Sequence, residues 1–355
     1  MARPIYTNLR YRCATLAIPL DTFEPECDIS SSTPAKPLAR FSGHAQSWRV
    51  FHFPLHCSDA HEIHQPSLTF SEQADLLIRR GLEATREEII EKLKTVSYYR
   101  LSAYGYPFRQ PDDSLLPGTT LAVIWRRYTF DRQLRLVMMD AVERVEIAIR
   151  TQLVYHHTQR YGPFGYLDRA HLQGISVEDH RQLLERIREE ARRSGEEFVK
   201  HFYAKYTAET DLPLWMASEL MTFGNMLTFF RGVDTGLKQT IAVQFGVADR
   251  VLESWLRALN QVRNICAHHG RIWNRVFGLR PLIPRENKHP EWHRPVVISS
   301  DRVFGILSIL QFLLAQVAPQ SAWKSRLLEL LGRYPDIPVT GMGFPLNWTE
   351  SPIWK

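Results

Sequence analysis

One stretch constrains the fold more than any other. Over residues 121–157, apolar side chains at Leu134, Val137, Met138, Ala141, Val142, Val145 and Ala148 recur three and four positions apart. That spacing places them on one face of a long α-helix. So long an apolar face needs partners, and the rest of the chain offers more helices. The same period predicts them over 71–80, 85–98, 177–206, 215–230, 237–245, 250–268, 301–318 and 322–334. Alternating β patterns are nearly absent, so the fold class is all-α, a multi-helix bundle forming one domain over 66–355. Residues 177–206 are highly charged and read as an exposed helix. The closing stretch, 335–355, holds four prolines with Phe344, Trp348 and Trp354. It reads as an irregular tail whose aromatic rings pin it to the bundle.

Residues 1–65 differ. They are rich in Pro and Ser, carry no sustained period, and contain six basic and six acidic residues. The whole net charge of +6 therefore falls in 66–355. This leader is expected to be poorly ordered and dispensable, even an upstream extension of the reading frame. It holds His52, His56, Cys57, His61 and His64, but without the paired spacing of a zinc site. No metal or other cofactor is expected. The four cysteines show no C-x-x-C spacing and form no disulfide framework. The most apolar run, 303–318, is interrupted by Ser308, Gln311 and Gln316 and reads as a buried helix, not a membrane span. The N-terminus makes a poor signal peptide. The expectation is a cytoplasmic protein with no membrane partner.

The basic residues are 35 Arg against 9 Lys. The planar guanidinium grips phosphate bidentately, so the bias leans towards phosphate ligands, although codon composition alone also sets such a ratio. Phosphate loops of the G-x-x-x-x-G-K type, G-x-S-x-G and H-E-x-x-H are all absent.

The densest polar constellation is residues 260–275, NQVRNICAHHGRIWNR. Leu252, Trp255, Leu259, Val262 and Cys266 form the core face of its helix, and Arg263 falls about 40° from Leu259. Asn260, Asn264 and His268 form a second, polar stripe, and Gly270 offers a C-terminal stop. A histidine transfers protons at neutral pH, and an arginine stabilises charge developing on a phosphoryl group. No carboxylate, Ser or Cys stands at nucleophile spacing. Such a set suits RNA cleavage, where the ribose 2′-hydroxyl is the nucleophile.

Arg263-Asn264-x-x-x-His268 resembles the Arg-Asn-x-x-x-His motif of HEPN-superfamily ribonucleases. The run 263–275 is similar to the signature of the Abi-like family of bacterial abortive-infection proteins, a HEPN branch. Residues 68–82, 96–109, 130–135, 142–150 and 343–354 fit that family in order, whereas 1–65 have no counterpart. The resemblance implies an α-helical bundle, usually a homodimer, that cuts RNA without a metal ion in phage defence or as a toxin. Arg263 and His268 would be the catalytic pair, with Asn264 supporting them. A possible antitoxin or phage-derived trigger would be a further partner. On an unbroken helix Arg263 and His268 lie about 140° apart. Either the helix loosens near Cys266, or the cleft wraps the helix end, or a second protomer supplies the other wall.

Around this pair, His269, Arg271 and Asn274 are candidates for binding substrate. Tyr99 and Arg100 could stack a base beside a phosphate, although the aromatic cluster containing Tyr98, Tyr104 and Tyr106 fits a core better. Glu143 and Glu146 could pair with Arg263, orient His268, or form structural ion pairs with Arg144 and Arg150. Two functions remain open: a metal-independent endoribonuclease, or a non-catalytic helical RNA-binding or scaffold protein.

Overall fold

The structure is a computed structural model that describes residues 67–355. The leader and its His and Cys residues lie outside the described residues. Among the described residues there are twelve α-helices and no strand, which bears out the all-α reading. In chain order they are α1 (Phe70–Arg79), α2 (Arg86–Thr95), α3 (Tyr98–Gly105), α4 (Leu121–Tyr161), α5 (Val177–Arg193) and α6 (Glu197–Lys205). Then follow α7 (Leu214–Ala217), α8 (Phe223–Gly232), α9 (Thr235–Gln244), α10 (Asp249–Ala267), α11 (Val303–Val317) and α12 (Trp323–Arg333).

Local chemistry sets the helix ends. Thr69 and Thr85 each accept the N–H of the residue three on, while Glu72 and Glu88 reach back to the threonine N–H, so α1 and α2 both start with capping boxes. Thr120 caps α4, and Gly162, at φ 75°, lets the chain leave its far end. Two long predicted helices are broken. Residues 177–206 divide at Ser194-Gly195-Glu196, where Ser194 is extended and its hydroxyl accepts the Glu196 N–H at 3.2 Å. Residues 215–230 divide where Met221 turns extended and Thr222 starts α8 by accepting the Asn225 N–H. In both cases a local side-chain bond competes with the helix. Helix α3 begins at Tyr98, the last residue of the helix that the period predicts over 85–98, and runs beyond it. It is only eight residues long, and Ser97 starts it by accepting the Arg100 N–H.

Helix α4 is the axis of the bundle. It packs against α3, α8, α9, α10, α11 and α12. The predicted apolar face is buried at Leu134, Met138, Ala141, Val142 and Val145. Ten of the fifteen residues of α11 are buried, as the near-continuous apolar run required. Among the described residues no helix is long and apolar enough to cross a membrane. The tail also behaves as expected. Phe344 and Trp354 are buried against Phe304, and the Trp354 indole N–H donates to Ser308 Oγ at 3.0 Å.

Candidate functional site

Helix α10 carries the motif. Leu252, Trp255, Leu259, Val262 and Cys266 are all buried, which fixes the rotation of the helix and turns the opposite face outward. The backbone stays α-helical through Ala267, and the His268 N–H donates to the Asn264 carbonyl at 3.0 Å. The helix therefore does not loosen near Cys266, and the 140° between Arg263 and His268 stands. The end is a Schellman turn. The His269 N–H donates to Cys266 at 3.0 Å, and the Gly270 N–H donates to Ile265 at 2.7 Å. The left-handed residue is His269, at φ 58°, not the glycine. Gly270 is needed for a different reason: a Cβ there would sit 2.9 Å from Ile265 Cγ2 and 3.2 Å from its carbonyl oxygen.

Side chains from α3 and α4 fasten the turn that follows. Arg100 donates to the His269 carbonyl, and Arg271 donates back to the Ala103 carbonyl at 2.6 Å. Asp131, fully buried on α4, accepts the N–H groups of Ile272 at 3.0 Å and Trp273 at 2.6 Å. Its other oxygen accepts the Tyr104 hydroxyl at 2.6 Å and pairs with Arg135. A buried carboxylate is costly unless paired and hydrogen-bonded, and here four donors meet it. Burial, then the Asp131 charge, pushes the Tyr104 hydroxyl up, which keeps it a donor.

The candidate residues divide between two places. Asn264, His268 and His269 are exposed at the helix end, and neither imidazole has a hydrogen bond among the described residues. Tyr99, 67% exposed, and Arg100 lie beside them because Arg100 holds His269. The Arg271 guanidinium is committed to α3. Asn274 is left-handed, at φ 55°, and its side chain packs on Gly341, where a Cβ would lie 2.6 Å from Asn274 Oδ1. Arg263 is half-buried on the other side of the helix. Its Nη1 faces Asn264 Oδ1 at 3.4 Å, and no ion pair among the described residues includes it. The nearby carboxylate of Glu146 is pushed up by burial, a shift opposed first by Arg150 and then by Arg263. Glu146 pairs with Arg150 at 3.2 Å, so Arg263 feels its field without forming the pair. Glu143 is exposed. Burial pushes the Cys266 thiol up to about 12, so it is no nucleophile at neutral pH.

Asp131 and Arg135 lie within the stretch 130–135 that resembles the family, yet the motif alone assigns them no role. A signal was there. Asp131 and Arg135 fall three positions before Leu134 and Met138, on the buried face of α4, where charge is rare unless paired.

The Abi-like protein family model matches residues 91–274, just over half of the chain, a span that includes α3, α4 and α10 and ends at Asn274. Comparisons with curated proteins and with solved structures give no match. The chain belongs to the Abi-like protein family, which points to an abortive-infection-type function.

Proposed function

We propose that this protein is a metal-independent endoribonuclease of the abortive-infection or toxin type, with the HEPN-type motif Arg263-Asn264-x-x-x-His268 as its site. The observation that carries this reading is a cationic group without an ion pair and a titratable group without a hydrogen bond at one helix end, among the described residues. Arg263 is half-buried without an ion pair among the described residues, and His268 is exposed with its imidazole unbonded. His268 takes part in proton transfer as the ribose 2′-hydroxyl attacks the adjacent phosphorus. The O2′–P bond forms as the P–O5′ bond breaks. The 2′-hydroxyl gives up its proton to the imidazole, and the leaving 5′-oxygen takes one from the imidazolium or solvent. The products are a 2′,3′-cyclic phosphate and a 5′-hydroxyl. Arg263 stabilises the phosphorane-like charge. Asn264 holds the imidazole or a phosphate oxygen. Because the substrate supplies its own nucleophile, the step needs no divalent ion. The 140° separation on one helix is accommodated by a homodimer in which two motifs face one cleft.

The geometry gives a second reading specific support: Arg263 and His268 do not share a face, as a non-catalytic RNA-binding or scaffold protein would allow. The test is purified full-length protein with single-stranded RNA and a chelator, beside His268→Ala and Arg263→Lys. Cleavage that falls roughly 10²–10⁴-fold in His268→Ala, with cyclic-phosphate ends and no cutting of DNA, supports the enzyme. Arg263→Lys should also lose much of the rate, since a point charge does not replace the planar fork. Unchanged cleavage in His268→Ala, or cutting of an all-deoxy strand at a similar rate, rules out this mechanism.

A further inference from the structure

The outward face of α10 holds more than the motif. At 100° per residue, Arg250, Ser254, Arg257, Gln261, Asn264 and His268 all fall within about 40° of one line along the helix. Arg250, Arg257, Gln261, Asn264 and His268 are exposed, and Ser254 is half-buried. From Arg250 to His268 the line runs about 27 Å at 1.5 Å per residue. Not one of the six is apolar and not one is acidic.

The neighbouring loop adds to the line. The Leu282 N–H donates to Ser254 Oγ at 3.0 Å, and the Leu282 carbonyl accepts the Trp255 indole N–H at 2.7 Å. These two bonds anchor the loop to α10 at Leu282, and exposed Arg280 and Arg285 stand two residues before and three residues after that anchor. Among the described residues none of Arg250, Arg257, Arg280 and Arg285 takes part in an ion pair, although most of the arginines on α4 and α5 do. The nearest carboxylates are accounted for, and exposed Glu286, next to Arg285, pairs with Arg294 at 2.6 Å. Glu253, about 60° round the helix from the line, binds Lys238 at 3.2 Å and lies 3.9 Å from Arg231. Asp249 is half-buried in the first turn of α10, where the helix dipole favours it.

We infer that the exposed face of α10, with Arg280 and Arg285 beside it, is a track for the sugar-phosphate backbone of single-stranded RNA that ends at His268. This deepens the ribonuclease reading, on which the identity of the ligand rests. Free guanidinium groups spaced along a line fit a chain of phosphates, each taken bidentately. A membrane-binding or peptide-binding helix face would carry several apolar anchors among its charges. The α10 face has none, and the loop beside it exposes a single one, Leu282. The polar groups between the arginines are short amide and hydroxyl side chains, which bond sugar and phosphate oxygens without selecting a base. A strand stacked at 3.4 Å per phosphate covers the track in about eight nucleotides. The line also distinguishes the two adjacent histidines, because His268 continues it whereas the left-handed turn at His269 leaves it.

The test reads binding, not cleavage. The probe is a fluorescent twelve-nucleotide 2′-O-methyl RNA, which lacks the nucleophile and stays intact. Its dissociation constant is measured against full-length protein from 50 to 300 mM salt. Each phosphate contact on a single strand contributes about 0.7 to the log–log slope, so Arg250→Gln with Arg257→Gln should lower the slope by about 1.4 and weaken binding at low salt. Arg186→Gln with Arg192→Gln, exposed on α5, should leave both unchanged. A four-nucleotide probe should bind more weakly than an eight-nucleotide one. No binding by the wild-type protein would overturn the track. So would an unchanged slope in the α10 variant, or equal displacement of the probe by polyglutamate of matched charge. Track-dependent binding without cleavage of ordinary RNA would keep the track and remove the nuclease. Cleavage with binding indifferent to Arg250 and Arg257 would do the reverse.

Discussion

Two polar regions lie on either side of the α10 terminus, and they are built on opposite principles. On the inner side, Asp131, Arg135 and Tyr104 are buried, and the Asp131 carboxylate meets four donors, two of them backbone N–H groups of the turn after the motif. On the outer side, Arg250, Arg257, Asn264 and His268 are exposed and hold no ion pair or side-chain bond with a neighbouring helix among the described residues. The inner set shapes the chain. Its groups have given up water and are held by one another. The outer set remains hydrated and free to exchange water for a ligand at little cost. Density of polar residues is therefore a poor guide to function, and satisfaction is a better one.

The largest expected effect breaks the inner set. Asp131→Ala would leave Arg135 buried without its charge partner and two turn N–H groups without an acceptor. Removing one member of a buried pair costs about 3–5 kcal/mol. Urea unfolding should show that loss, whereas Arg257→Gln should stay within about 0.5 kcal/mol of wild type, as exposed substitutions do. A loss under about 1 kcal/mol in Asp131→Ala would mean that the turn is held by other contacts and that the contrast is false.

A third kind of polar residue sharpens the comparison, one that is buried and unsatisfied. His157 on α4 is fully buried, and both ring nitrogens lack a hydrogen-bond partner. It packs against Tyr161 and Phe229. Burial, helped by nearby His171, pushes its pKa down from 6.5 to about 4. In the unfolded chain the imidazole takes a proton near pH 6.5, while the folded protein refuses it until about pH 4. Between those values the unfolded state binds more protons, so stability is complete above pH 6.5 and declines as pH falls, by up to about 1.4 kcal/mol per pH unit. His157→Phe should flatten the dependence of unfolding free energy on pH between 6.5 and 5, a window above most carboxylate titrations. An unchanged slope would show that the ring finds a partner in solution.

How much of this was legible in the sequence follows the same division. The apolar period of α4 and α10 was readable because a buried helical face must repeat every three to four residues. That period also fixed the rotation of Arg263 against the core. The break at Met221-Thr222 was not legible, because apolar spacing continues across it and only a local side-chain bond ends the helix. Ser194-Gly195, by contrast, is a turn-favouring pair that the continuous run of charge on either side obscured. The α10 end was half legible. Gly270 marked the place, but the left-handed position fell on His269, since the glycine was required by the close approach of Ile265. The role of Asp131 depended on contacts 141 and 142 residues away, which spacing within one helix does not reveal. The basic line on α10 needed only the helical period, but its meaning needed the knowledge that those arginines stay unpaired.

The smallest expected effect lies at the boundary between the two regions. His269 is the left-handed residue of the Schellman turn, at φ 58°, and its imidazole is exposed. A side chain with a Cβ in that conformation costs about 1–2 kcal/mol relative to its ordinary wells, although histidine tolerates the region better than branched residues do. Glycine carries no such cost, but it gives the unfolded chain more freedom, which returns part of the gain. The balance for His269→Gly is a stabilisation of roughly 0.5–1 kcal/mol, readable as a shift in the urea midpoint at constant slope. The same variant separates the adjacent imidazoles. If His268 alone carries the proton, His269→Gly should cut RNA at close to the wild-type rate while unfolding later. A stabilised protein that has lost cleavage would place the working imidazole at His269, on the turn that Arg100 holds in place, and would move the end of the RNA track from the face of α10 to the loop beyond it.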